Sequence, residues 1–219
     1  MARIDINGDI VTNEYGRFYD WFKWDYASPR KVADVINKAA PDEPLDVYIN
    51  SGGGFVAAGQ EIYSMLLAHR ERVSIHIESL AASAASIIAM AGRSEISPVG
   101  VIMIHNVVGR TRGDYHEMEK YAEVLKQYNA ALCAAYCAKT GRKLDDMLAL
   151  MDRETWLTAA QAVKMGFVDS IMQTETKPAT ASGFDIRMTP ELMERAEREM
   201  AGIKSRKEEI TKDLFLYGI

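Results

Sequence analysis

A chain of 219 residues, 48% hydrophobic and 26% charged, is long enough for one well-buried domain with an appendage and too short for several. Its formal charge of −5 supplies no basic footprint for a phosphate backbone, which argues against a nucleic-acid partner. No apolar run approaches the roughly 20 residues of a membrane span, and the opening MARIDINGDIV lacks the basic-then-apolar layout of a secretory signal, so a cytoplasmic protein is expected.

In chain order, ARIDINGDIV reads as a strand with a possible turn at Asn7-Gly8, followed by an aromatic-rich connection from Tyr15 to Tyr26. Ser28-Pro29 supplies an N-cap and a first-turn proline for a helix to about Ala40, with Val32, Val35, Ile36 and Ala39 on one face. LDVYIN is a short apolar strand, SGGG a break, and Ala57 to Arg70 a helix turning Ile62, Met65 and Leu66 inward. RVSIHI is a further strand and leads into the alanine-rich HIESLAASAASIIAMAG. VIMIH follows as a buried strand, and Asp114-x-x-Glu117 opens a long helix that Gly141 closes. LDDMLALM is a short helix, TWL a strand fragment, and Thr158-x-x-Gln161 caps a helix that ends at Gly166 before FVDSIM.

Strands alternating with helices predict an α/β domain with parallel crossovers over residues 1–173. QTETKPATASG has linker composition. Thr189-Pro190 then caps a charged helix with a narrow stripe of Leu192, Ala196, Met200 and Ile203, so 174–219 is expected to be linker and helical tail. That tail reads as solvated, or as an arm for a neighbouring subunit or capsid component. Cys133 and Cys137, four apart with no histidines at ligand spacing, read as small buried residues rather than a metal site.

Three features stand at strand ends, where open α/β sheets place their sites. The glycines of SGGG let the backbone turn sharply and expose N–H groups, with neither a phosphate loop nor a dinucleotide fingerprint in their spacing. ATP and NAD therefore have no visible site. In the alanine-rich stretch, a strand, tight turn and helix would leave Ser83 exposed near unpaired N–H groups, with Ser79 and Ser86 as competitors and close helix packing as the alternative reading. Among four histidines, His105 alone follows a continuous apolar strand that carries it to the same sheet edge as Ser83. Serine, histidine and glycine turn together make the nucleophile, base and oxyanion set of acyl transfer.

DVYINSGGGFVAAGQEIYSML, SLAASAASIIAMAG, VIMIH and ETWLTAAQAVKMGFVDSI resemble, in order, the signature segments of the ClpP-like serine peptidases over roughly residues 5 to 172. SGGG and ETWLTAAQA are most similar to the phage and prophage branch, the ClpP-related head maturation proteases. The resemblance implies Ser83 as nucleophile, His105 as base and Glu154, two residues before Trp156, as the acid, with Asp152 as the fallback. It also implies backbone N–H donors at Gly53 and Ala84, and a substrate-pairing edge at Gly53, Gly54 and Phe55. No cofactor or metal is implied.

The same resemblance implies a crotonase-like α/β fold assembled as a homo-oligomer, in heptameric or stacked rings, with the long helix from Tyr115 to Thr140 as a protruding handle. Its Leu125, Tyr128, Leu132 and Tyr136 fit a ring contact or an ordinary core equally well. The expected substrate is a peptide or protein, with phage capsid or scaffold protein as the natural target. VGRTRGDYHE after His105 departs from the housekeeping enzymes, and no docking pocket for an unfoldase ATPase is recognisable. The rival readings are a degenerate ring subunit acting through an active partner, a crotonase-type acyl-CoA enzyme, and a serine–lysine signal peptide peptidase. The last two fit poorly, because serine and histidine stand in register and no suitable lysine or membrane segment does.

Overall fold

The computed structural model describes residues 1–173, so the linker and tail expected over 174–219 lie outside the described residues. The elements run β1 (Ala2–Ile10), α1 (Gly16–Phe22), β2 (Tyr26–Ala27), α2 (Pro29–Lys38), β3 (Leu45–Gly54), α3 (Val56–Leu67), β4 (Val73–Ala82) and α4 (Ala84–Ile88). Then come β5 (Arg93–Ile96), β6 (Val101–Ile104), α5 (Tyr115–Thr140), α6 (Leu144–Asp152), β7 (Thr155–Thr158), α7 (Ala159–Lys164) and β8 (Ser170–Ile171). The sheet order is β2-β1-β3-β4-β5-β8, with β6 branching from β4 and β7 pairing β6. All pairs are parallel except β6–β7, so the fold is the expected α/β class with a mostly parallel sheet.

Alternation along the central strands explains which face is covered. Leu45, Val47 and Ile49 of β3 and Val73, Ile75 and Ile77 of β4 are buried and join the helices in one core. The intervening Tyr48 and His76 stack at 4.7 Å on the opposite face, where Arg3 lies over the Tyr48 ring and the His76 ring nitrogens meet Asp46 and Glu95. That polar cluster accounts for His76 as part of the sheet surface rather than of a site.

Several expectations are corrected. Asn7-Gly8 is a bulge inside β1, not a turn: the register shifts between Asn7 and Asp9, and a Cβ on Gly8 would meet the Asp25 carbonyl. SGGG continues β3 rather than ending it. The aromatic connection folds into α1, and β5 escaped the pattern because RSEI carries two charges. The capping boxes at Asp114–Glu117 and Thr158–Gln161 are both present.

The long helix divides in its packing. Leu132, Cys133, Ala135 and Tyr136 are buried, whereas Tyr115, Met118, Val124 and Tyr128 are exposed. Leu132 and Tyr136 thus serve the core, and the N-terminal half of α5 does not. Burial pushes the Cys133 thiol up to about 12, which keeps it protonated and unreactive.

Candidate active site

Ser83 sits where β4 ends and α4 begins, at φ 53° and ψ −124°, a conformation that L residues rarely adopt. Three bonds hold it there. Its N–H donates to the Met103 carbonyl at 3.0 Å, and its own carbonyl accepts from the Ser86 N–H at 3.0 Å and the Ser86 hydroxyl at 2.6 Å. The surrounding alanines let this tight strand-to-helix turn close, because Ala81, Ala82, Ala84 and Ala85 are all buried with nothing larger than a methyl group to accommodate. Strain of this kind projects a hydroxyl out of the turn.

The partner comes from β6. Leu80 to Ala82 of β4 pair with Val101 to Met103 of β6, which carries the residue following β6 to the strained turn. His105 Nε2 and Ser83 Oγ are 2.8 Å apart. The other two serines fall away: Ser79 is exposed on β4, and Ser86 is buried and bonded to the Tyr136 hydroxyl at 2.7 Å.

Gly53 is pressed against the same turn. A Cβ added there would stand 2.7 Å from Ser83 Cβ and 3.0 Å from the Ala84 nitrogen, at a φ of 102°. Its N–H donates to Ser51 Oγ at 3.1 Å, while Ser51 Oγ donates to the Gly8 carbonyl at 2.6 Å. Ser51 thus fixes the glycine strand to the β1 bulge, a role that the sequence signalled only as part of SGGG. The Ala84 N–H, first in α4, has no acceptor within the helix.

The third member is not brought to the histidine. The antiparallel β6–β7 register pairs Ile104 with Thr155 as its last step, so His105 and Glu154 each stand one residue beyond the paired strands. Yet the exposed Glu154 carboxylate accepts from Trp156 Nε1 at 3.1 Å, and its backbone has a φ of 48°. Asp152 accepts from Asn106 Nδ2 at 2.8 Å. Among the described residues no carboxylate is hydrogen-bonded to His105. Sequence reasoning also missed Asn129, whose side chain accepts from the Val107 N–H at 2.7 Å and ties the segment after His105 to α5.

Beside Ser83 and His105 lies a cleft of about 220 Å³ lined by Val56, Ile87, Val107, Leu132 and Tyr136. Apart from Ser83 and His105 themselves, the one polar side-chain group in its lining is the Tyr136 hydroxyl, which is already paired. An acyl group with an apolar side chain fits that chemistry. Among the described residues no helix is long and apolar enough to cross a membrane. In comparison with known families, the Clp protease model matches residues 32–175, a span that contains the glycine strand, Ser83, His105 and Glu154. The chain therefore belongs to the Clp protease family, the ClpP-like serine peptidases.

Proposed function

We propose that the protein is a serine endopeptidase in which Ser83 attacks the peptide carbonyl and His105 is its base. The observation that carries this reading is the 2.8 Å contact between His105 Nε2 and Ser83 Oγ at a strained turn. His105 takes the Ser83 proton as the tetrahedral intermediate forms, then gives it to the leaving amine. Water, deprotonated by the same imidazole, releases the acyl group from Ser83. The N–H groups of Gly53 and Ala84 stabilise the oxyanion, Gly53 exchanging its bond to Ser51 for the substrate oxygen. Glu154 orients His105 once its carboxylate leaves Trp156; its register position supports this, and Asp152 is the alternative. The chemistry calls for no cofactor or metal.

The edge formed by Gly53, Gly54 and Phe55 pairs with an extended substrate. The family acts on protein substrates in oligomeric rings, and Tyr115 and Met118, exposed at the start of α5, support a handle role in a heptameric or stacked ring. Within the family the sequence segments favour the phage and prophage branch, so capsid or scaffold protein is the proposed substrate, processed in the cytoplasm during head maturation. A second reading, a ring subunit without turnover, is favoured by the lack of a carboxylate on His105 among the described hydrogen bonds.

Intact-mass labelling by a fluorophosphonate separates the two. One adduct on the wild type and none on Ser83→Ala is the expected result. No adduct on folded, assembled protein would sink the protease reading and leave the structural subunit.

A further inference from the structure

A second hollow adjoins the catalytic cleft. It holds about 570 Å³ and is walled by Tyr19, Phe55, Val108, Tyr121, Val124 and Tyr128. The two hollows share Gly54, Val56, Val107 and Val108. A polypeptide leaving Ser83 along the glycine edge therefore enters this groove within a few residues.

Each wall is built by a separate element. On one side Tyr121, Val124 and Tyr128 follow the three- and four-residue spacing of a single α5 face. On the other, α1 and the residue before it stiffen an aromatic wall: Tyr15 stacks on Phe55 with ring centroids 5.2 Å apart, and the Tyr19 hydroxyl donates to Asp9 at 2.8 Å. Burial and that bond push the Tyr19 phenol up to about 12, so it stays neutral. Phe55, Val108, Val124 and Tyr128 are 46%, 77%, 40% and 40% exposed, an apolar set left open beside a nucleophile.

We propose that this groove is a specificity subsite for a bulky apolar side chain of the extended substrate, distinct from the cleft that receives the residue at the scissile bond. The proposal rests on Ser83 as the nucleophile. Its occupant is a polypeptide because the groove is continuous with the catalytic cleft through four shared residues and lies along the edge with which an extended chain pairs. Its size lies within the usual range of about 300 to 1,000 Å³ for ligand sites.

Binding to the full-length Ser83→Ala protein tests the groove without turnover. Tagged ten-residue peptides of alanine and serine, each bearing one phenylalanine at a successive position, are titrated by fluorescence anisotropy. Phenylalanine at one position away from the scissile residue tightens binding about tenfold or more, as burial of an aromatic side chain predicts. Val124→Asp removes that gain with the native mass unchanged, and Tyr128→Ala reduces it. A gain at no such position, or one that survives both substitutions, overturns the proposal. A native mass that falls with Val124→Asp overturns it too, by assigning the groove to a second copy of the chain. Failure of wild-type labelling at Ser83 would sink the nucleophile reading alone, since binding is read on the alanine variant.

Discussion

Gly53 is pressed against Ser83: a Cβ built on Gly53 would stand 2.7 Å from Ser83 Cβ. Gly53→Ala therefore meets both a steric block and a φ of 102°, a conformation that costs non-glycine residues on the order of 1 kcal/mol or more. The contact also bears on the proposed oxyanion donors, because the Ala84 nitrogen is only 3.0 Å from the same point. The expected result is a folded protein by circular dichroism whose peptide hydrolysis falls at least about 100-fold. Activity within tenfold of wild type would remove Gly53 from the oxyanion site.

The site was legible in sequence where a residue's position follows from strand ends. Ser83 and His105 each directly follow a strand, and parallel strands deliver their C-terminal ends to one edge, so their meeting could be anticipated. The acid could not be, because its placement depends on β7 pairing antiparallel to β6 and on a side-chain rotamer that no pattern encodes. The bulge at Asn7-Gly8 was misread for a related reason. A turn and a bulge both need glycine at positive φ, and only the partner strand decides between them. The α1 helix escaped because its aromatic residues lack an apolar stripe, Gly16 alone being buried.

Glu154→Gln distinguishes the two acids. If Glu154 holds the His105 tautomer, the amide lowers kcat by roughly 1,000- to 10,000-fold, as loss of a triad acid does elsewhere. Asp152→Asn keeps the partner of Asn106 and is expected to change kcat less than tenfold. The reverse ranking in steady-state peptide hydrolysis would transfer the role to Asp152.

Ser86 and Tyr136 form a buried pair whose proton order is fixed. Ser86 Oγ donates to the Ser83 carbonyl at 2.6 Å, so the Tyr136 hydroxyl donates to Ser86 at 2.7 Å. Burial holds the Tyr136 phenol well above its ordinary value. Ser86→Ala strands that hydroxyl and is expected to cost about 1 to 3 kcal/mol in urea unfolding, whereas Tyr136→Phe removes only a donor and costs about 1 kcal/mol. Ser86→Ala should still take one fluorophosphonate adduct. Loss of the adduct in a protein that remains folded would reopen the choice of nucleophile.

Asp169 ties the C-terminal end of α5 to β5. Its Oδ2 accepts from Lys139 Nζ at 2.6 Å and from the Ser94 N–H at 2.7 Å. Partial burial pushes the carboxyl upward, but the Lys139 and Ser94 hydrogen bonds outweigh it and hold the carboxyl below its ordinary value. A depressed folded-state value means the contribution is full above the unfolded value of about 3.9 and is lost as pH falls through the lower folded value. Asp169→Asn should therefore destabilise the protein at pH 7, and the gap to wild type should close on acidification below about pH 4. Urea unfolding of both proteins from pH 7 to pH 3 measures it. A gap that stays constant across that range would mean Asp169 acts through shape and hydrogen bonding rather than through its charge.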